Sequence, residues 1–119
     1  MTDREFNKQR HRIRRLMKKW SRHLWLQEWW VINEYVRGPF NSNGDYDALA
    51  STSVQWQYRK AVITWNLEEV ARKSDYEMDW VFVHEAMHIH LNEMREEGLA
   101  HEERVASTLA LLITRLVDR

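Results

Sequence analysis

Residues 78–94 hold Met78, Trp80, Val81, Phe82, Val83, Ile89, Leu91 and Met94, with His84, Glu85 and His88 in their midst. A segment apolar on most of its sides belongs in an interior. Two imidazoles and a carboxyl group left there without partners would cost a few kcal/mol each. The rest of the chain must therefore fold so that something meets those three groups. The spacing predicts a helix over residues 76–96. Ser74 or Asp75 can cap it, Asp75, Glu77 and Asp79 suit its first turn, and Gly98 suits its stop.

On a helix, residues four apart share a face, so His84 and His88 can turn both imidazoles toward one cation. Glu85 follows the first of them, within reach of a water held by the same ion. Two neutral nitrogen donors beside a carboxylate base is the HExxH arrangement of zinc hydrolases, which leaves room for one further ligand and a water. The chain has no cysteine, so thiolate sites and disulfides are excluded. The expected metal is one zinc ion per chain, held by histidine and carboxylate alone.

With 119 residues, 44% of them hydrophobic, the chain suits a single domain with its own core. The seven tryptophans suit that core more readily than an open groove. No apolar run approaches 18 residues and the N-terminal stretch is polar and basic, so the expectation is a cytoplasmic protein with no membrane partner. The formal charge is zero, yet it is segregated. Nine of the 18 Lys and Arg fall within residues 4–22, whereas residues 68–103 carry eleven acids against Arg72, Lys73 and Arg95. The basic stretch, with Arg12, Arg14 and Arg15 at its centre, is either a nucleic-acid surface or a partner for the acidic half inside the fold.

Thr2-Asp3-Arg4-Glu5 reads as a capping box. Phe6, Ile13, Leu16, Met17, Trp20 and Leu24 then recur at helical spacing, giving a basic amphipathic helix over residues 1–24. Residues 28–37, with Trp29, Trp30, Val31, Ile32, Tyr35 and Val36, favour a strand. Gly38-Pro39 and Asn41-Ser42-Asn43-Gly44-Asp45 read as a loop. Residues 48–58 alternate, with Ala50, Thr52, Val54, Trp56 and Tyr58 on one face. Residues 61–65 follow as a second strand, so that 48–65 form a hairpin. Asn66 can cap a short helix over 67–73. A closing helix takes 100–117, with Val105, Leu109, Leu112, Ile113 and Leu116 on its apolar stripe. The predicted class is α+β: an N-terminal helix, a three-stranded antiparallel sheet over 28–65, the helix of the histidines and the closing helix.

A catalytic zinc needs a third protein ligand. His90 is rotated off the ligand face. Leu91 and Met94 stand where a Gly and a third His would extend the motif. His101, Glu102 and Glu103 remain, at the start of the closing helix. Glu102 lies nearest the middle of the apolar stripe. Glu103 heads a face of small residues, Ala106, Ser107 and Ala110, that allows two helices to approach closely. Ser107, one turn on, can hydrogen-bond a ligand from outside the metal shell. Glu103 is the preferred third ligand, ahead of Glu102 and His101.

The strand hairpin, then Asp79-Trp80-Val81-Phe82-Val83-His84-Glu85-Ala86-Met87-His88, then Glu103-Arg104-Val105-Ala106-Ser107, resembles a minimal gluzincin, a zincin metallopeptidase, and the small HExxH proteins encoded by phages. The resemblance implies zinc on His84, His88 and a Glu from the following helix. It implies peptide or protein substrates cleaved by metal-activated water with Glu85 as general base. In that family an Asp or Asn often stands four residues after the ligand Glu, where this chain has Ser107. SprT-like proteases, which act on DNA-bound proteins, are the second resemblance, with His101 as third ligand and the basic helix toward nucleic acid. A non-catalytic module binding through that helix is the remaining alternative. Tyr58 and Tyr76 are the available residues for oxyanion stabilisation.

Overall fold

Thr2 opens the first helix, α1 (Asp3–Trp20), its hydroxyl oxygen accepting the Glu5 N–H at 3.1 Å. This satisfies one of the donors that a first turn leaves free. The computed structural model of the chain describes residues 1–38, 48–92 and 99–117; of residues 99–104, only the Glu103 side chain is described. The expected apolar stripe is the buried one: Ile13, Leu16, Trp20 and Leu24 all lie in the core. The chain leaves the helix after Trp20 and runs through turns to Trp25, whose φ of 55° is left-handed and cannot continue a right-handed helix.

Three strands follow: β1 (Trp30–Val36), β2 (Ala50–Gln55) and β3 (Lys60–Asn66). β2 and β3 form the expected hairpin, antiparallel from Ala50↔Trp65 to Gln55↔Lys60. The second strand is shorter than its alternation suggests. Residues Trp56–Tyr58 turn into a 3₁₀ segment, and Arg59 closes it at φ 51°. The expectation of an all-antiparallel sheet is wrong at its other edge. The order is β1-β3-β2, with β1 parallel to β3 from Trp30↔Lys60 to Val36↔Asn66. A tight connection forces β2 and β3 to run in opposite directions. Residues 37–59 separate β1 from β3, which is long enough for a crossover that leaves their mutual direction free. The expected loop at Pro39 and Asn41-Ser42-Asn43-Gly44-Asp45 lies outside the described residues.

Central β3 carries the sheet's contribution to the core, with Ala61, Ile63 and Trp65 fully buried. Trp65 stacks on Phe82 at 5.9 Å between ring centroids, and its indole N–H donates to Asn33 Oδ1 at 3.0 Å. Asn66 caps the short helix α2 (Leu67–Ala71), accepting from the Glu68 and Glu69 amides. Ser74 and Glu77 make a full capping box for α3 (Asp75–Leu91), the helix of the histidines. Residue 96 and the stop expected at Gly98 lie outside the described residues. The closing helix α4 (Leu99–Val117) packs along α3 through Ala106 and Ala110, both fully buried. The architecture is α+β, with a three-stranded mixed sheet.

α1 is fastened to α3 by charge as well as by apolar contact. Asp79, buried on α3, accepts from Trp20 Nε1 at 2.8 Å and from Lys19 Nζ at 3.0 Å. Arg12 donates to the Val70 and Lys73 carbonyls at 2.8 and 2.7 Å and to Asp75 at 3.0 Å, so it closes the end of α2. Part of the basic helix therefore neutralises the acidic half inside the fold. Asp79→Ala leaves a buried indole N–H without its acceptor and should lower unfolding free energy by about 2–3 kcal/mol. Urea titration would measure it, and an unchanged midpoint would remove Asp79 from this role.

Candidate metal centre

α3 turns His84, Glu85 and His88 toward one place because their spacing is helical and its other faces are taken up by Met78, Phe82, Val83 and Ile89 in the core. The imidazole nitrogens His84 Nε2 and His88 Nε2 stand 3.1 Å apart. From α4, Glu103 reaches both: Oε2 lies 3.2 Å from His84 Nε2 and Oε1 lies 3.0 Å from His88 Nε2. Ala106 and Ala110 allow this, because small side chains between the helices let the carboxylate come within reach. The Ser107 hydroxyl lies 3.2 Å from His84 Nδ1. Trp80, one turn before His84, packs on its ring at 5.1 Å between centroids.

The donor set suits a zinc ion. At metal–ligand bonds of 2.0–2.1 Å, the corners of a tetrahedron lie about 3.3 Å apart, close to the 3.0–3.2 Å separations here. The Ser107 hydroxyl can accept a proton from His84 Nδ1, the tautomer that would leave Nε2 free to hold a cation. Burial, and then the neighbouring His88, hold the His84 pKa below the usual histidine value, against the opposing pull of Glu103. The shift favours the neutral imidazole, the form that a metal ligand requires.

Glu85 has a different setting. It is buried, one of its carboxylate oxygens lies within 4.8 Å of a ring nitrogen of each histidine, and Thr52 Oγ1 of β2 donates to its Oε1 at 3.1 Å. Two carboxylates thus flank the imidazole pair. Glu103 touches both nitrogens and is half-exposed, with 47% of its side chain accessible, so the cluster opens to solvent on the α4 side. Glu85 stands deeper, against the sheet.

All four residues expected at the site (His84, Glu85, His88 and Glu103) come together. The side chains of the other two proposed third ligands, His101 and Glu102, lie outside the described residues. His90 points elsewhere, donating to the Leu24 carbonyl at 2.6 Å. Tyr58 and Tyr76 are exposed at 79% and 56%, and neither is among the groups surrounding the imidazole pair described above. Thr52 is the member that sequence reasoning missed. Its only signal was a place on the inward face of an alternating strand. Family models, curated proteins and solved structures were all compared with this chain, and none matches it.

Proposed function

We propose that the chain is a zinc-dependent peptidase with a gluzincin-like ligand set, in which His84, His88 and Glu103 hold the metal and Glu85 is the general base. The observation that carries the reading is the convergence of two imidazole nitrogens and one carboxylate from a neighbouring helix, within 3.0–3.2 Å of one another. Bound zinc supplies Lewis acidity, which polarises a carbonyl oxygen and brings the pKa of a water toward neutrality.

The chain's own groups do the remainder. Glu85 accepts the proton of the attacking water and returns it to the departing amine. The Thr52 hydroxyl fixes the rotation of the Glu85 carboxylate through the bond to Oε1. Ser107 fixes the tautomer and ring plane of His84. β2 lies at an edge of the sheet and beside α3, so an extended peptide can add to it as a strand.

Two measurements test the reading together. Protein expressed with ample zinc should retain about one metal per chain, and it should cleave members of an unbiased peptide library in a chelator-sensitive way. A chain that retains no metal overturns the proposal. Thr52→Val probes the positioning of the base. It should keep the zinc and lower kcat about tenfold or more, the worth of a hydrogen bond to a charged group. An unchanged kcat would assign Thr52 to packing alone.

A further inference from the structure

We infer that α1 and the tryptophan groove at its end form a binding surface for single-stranded nucleic acid, independent of the metal centre. Arg4, Lys8, His11, Arg15, Lys18 and Arg22 are all exposed. Their spacing alternates between four and three residues, which at about 100° per residue confines them to an arc of roughly 80°. The helical turn persists past the end of α1, with Ser21 N–H donating to Met17 O and Leu24 N–H to Trp20 O, so Arg22 continues the line. The stripe is about 27 Å long. It lies opposite the face that buries Ile13, Leu16 and Trp20. Among the described residues none of its members makes an ion pair. Asp75 and Asp79, on the neighbouring helix, are already held by Arg12 and Lys19.

Three residues beyond Arg22, and so within about 11 Å of it along the chain, Trp25 stands 78% exposed. It borders an open groove of about 380 Å³ lined by Trp29, Trp56 and His90 and by the Arg59–Glu28 ion pair at 3.6 Å, whose charges offset each other. The two non-glycine residues with positive φ among the described residues are Trp25 and Arg59, and both line this groove. A bulky side chain held in the left-handed region marks a place where the fold sustains strain. Water-exposed indoles at the end of an unpaired cationic track are the two components that hold single strands: charge follows the phosphates and aromatic faces stack on the bases. A duplex hides its base faces, and so would use the track without the tryptophans. A lipid surface would meet only the charges, because the apolar face of α1 is already buried.

The test measures binding of the full chain to labelled 15-nucleotide oligo(dT) and oligo(rU), to a 15-base-pair duplex and to phosphatidylserine-containing vesicles. With five permanent cations engaged, single-strand affinity should fall about 100-fold between 50 and 200 mM salt, a log–log slope near −3.5. Arg15→Gln/Lys18→Gln/Arg22→Gln should reduce that slope to about −1.4. Trp25→Ala should weaken binding about fivefold or more with the slope unchanged. All four positions are exposed, and an unchanged circular dichroism spectrum would establish that the variants fold. Tighter binding of either oligo(dT) or oligo(rU) supports the inference and identifies the preferred sugar. It is overturned if neither strand binds at 50 mM salt, if the duplex binds as tightly and Trp25→Ala has no effect, or if only the vesicles bind.

Discussion

Glu85→Gln is expected to keep one zinc per chain while lowering peptide hydrolysis about 10²–10⁴-fold, the range that a positioned general base contributes. The substitution preserves shape and removes the ability to take up a proton. The amide oxygen can still accept the Thr52 hydroxyl, so the contact between β2 and α3 that this bond provides should persist. Glu85 is only 5% exposed, so the two N–H donors of the new amide need acceptors there, and the thermal midpoint reports whether they find them. Metal content, thermal midpoint and turnover measured on one preparation separate the possibilities. Lost activity with retained zinc assigns the proton transfer to Glu85. Undiminished turnover removes it from the mechanism.

Zinc itself should produce the second large effect. A ligand that binds only the folded chain, present at a thousand times its Kd, adds about 4 kcal/mol of stability. For a domain of this size that corresponds to roughly 10–20 °C in Tm. Glu103→Ala should abolish most of this gain. Loss of an outer hydrogen-bond partner already costs 10–100-fold in metal affinity, and loss of a direct ligand costs more, so a decrease of at least about 100-fold is expected. Ser107→Ala should fall within that 10–100-fold range. Thermal melts of wild type and both variants, with zinc and with chelator, would rank the three. A Glu103→Ala chain that gains as much from zinc as wild type would displace Glu103 from the ligand set.

The helices and the cluster of His84, Glu85, His88 and Glu103 were legible because their signals are local. His84 and His88 share a face by helical arithmetic, and Ser74 and Glu77 mark the start of that helix within four residues. Glu103 was readable because the small residues one and two turns on, Ala106 and Ala110, signalled a close helix–helix approach. Sheet order was not legible. Whether β3 lies beside β1 in parallel depends on the path of residues 37–59, and no short-range pattern encodes it. Thr52 was hidden for the same reason, since its meeting with Glu85 joins a strand and a helix 33 residues apart. The tryptophans divide. Trp20 and Trp65 are core, as their size suggests, whereas Trp25, Trp30 and Trp56 are exposed, so the preference for the core over an open groove holds for only part of the set. Arg12 reads as part of a cationic surface in the sequence, and only the fold places it on the Val70 and Lys73 carbonyls.

Because the carboxylate that meets His84 and His88 is carried by α4, the cluster is complete only while α4 is docked on α3. Zinc held there, as proposed, would act as a clasp between the two helices. Undocking α4 would then have to break a metal bond as well as the contacts at Ala106 and Ala110, so the ion should slow opening of that helix pair more than opening of the sheet.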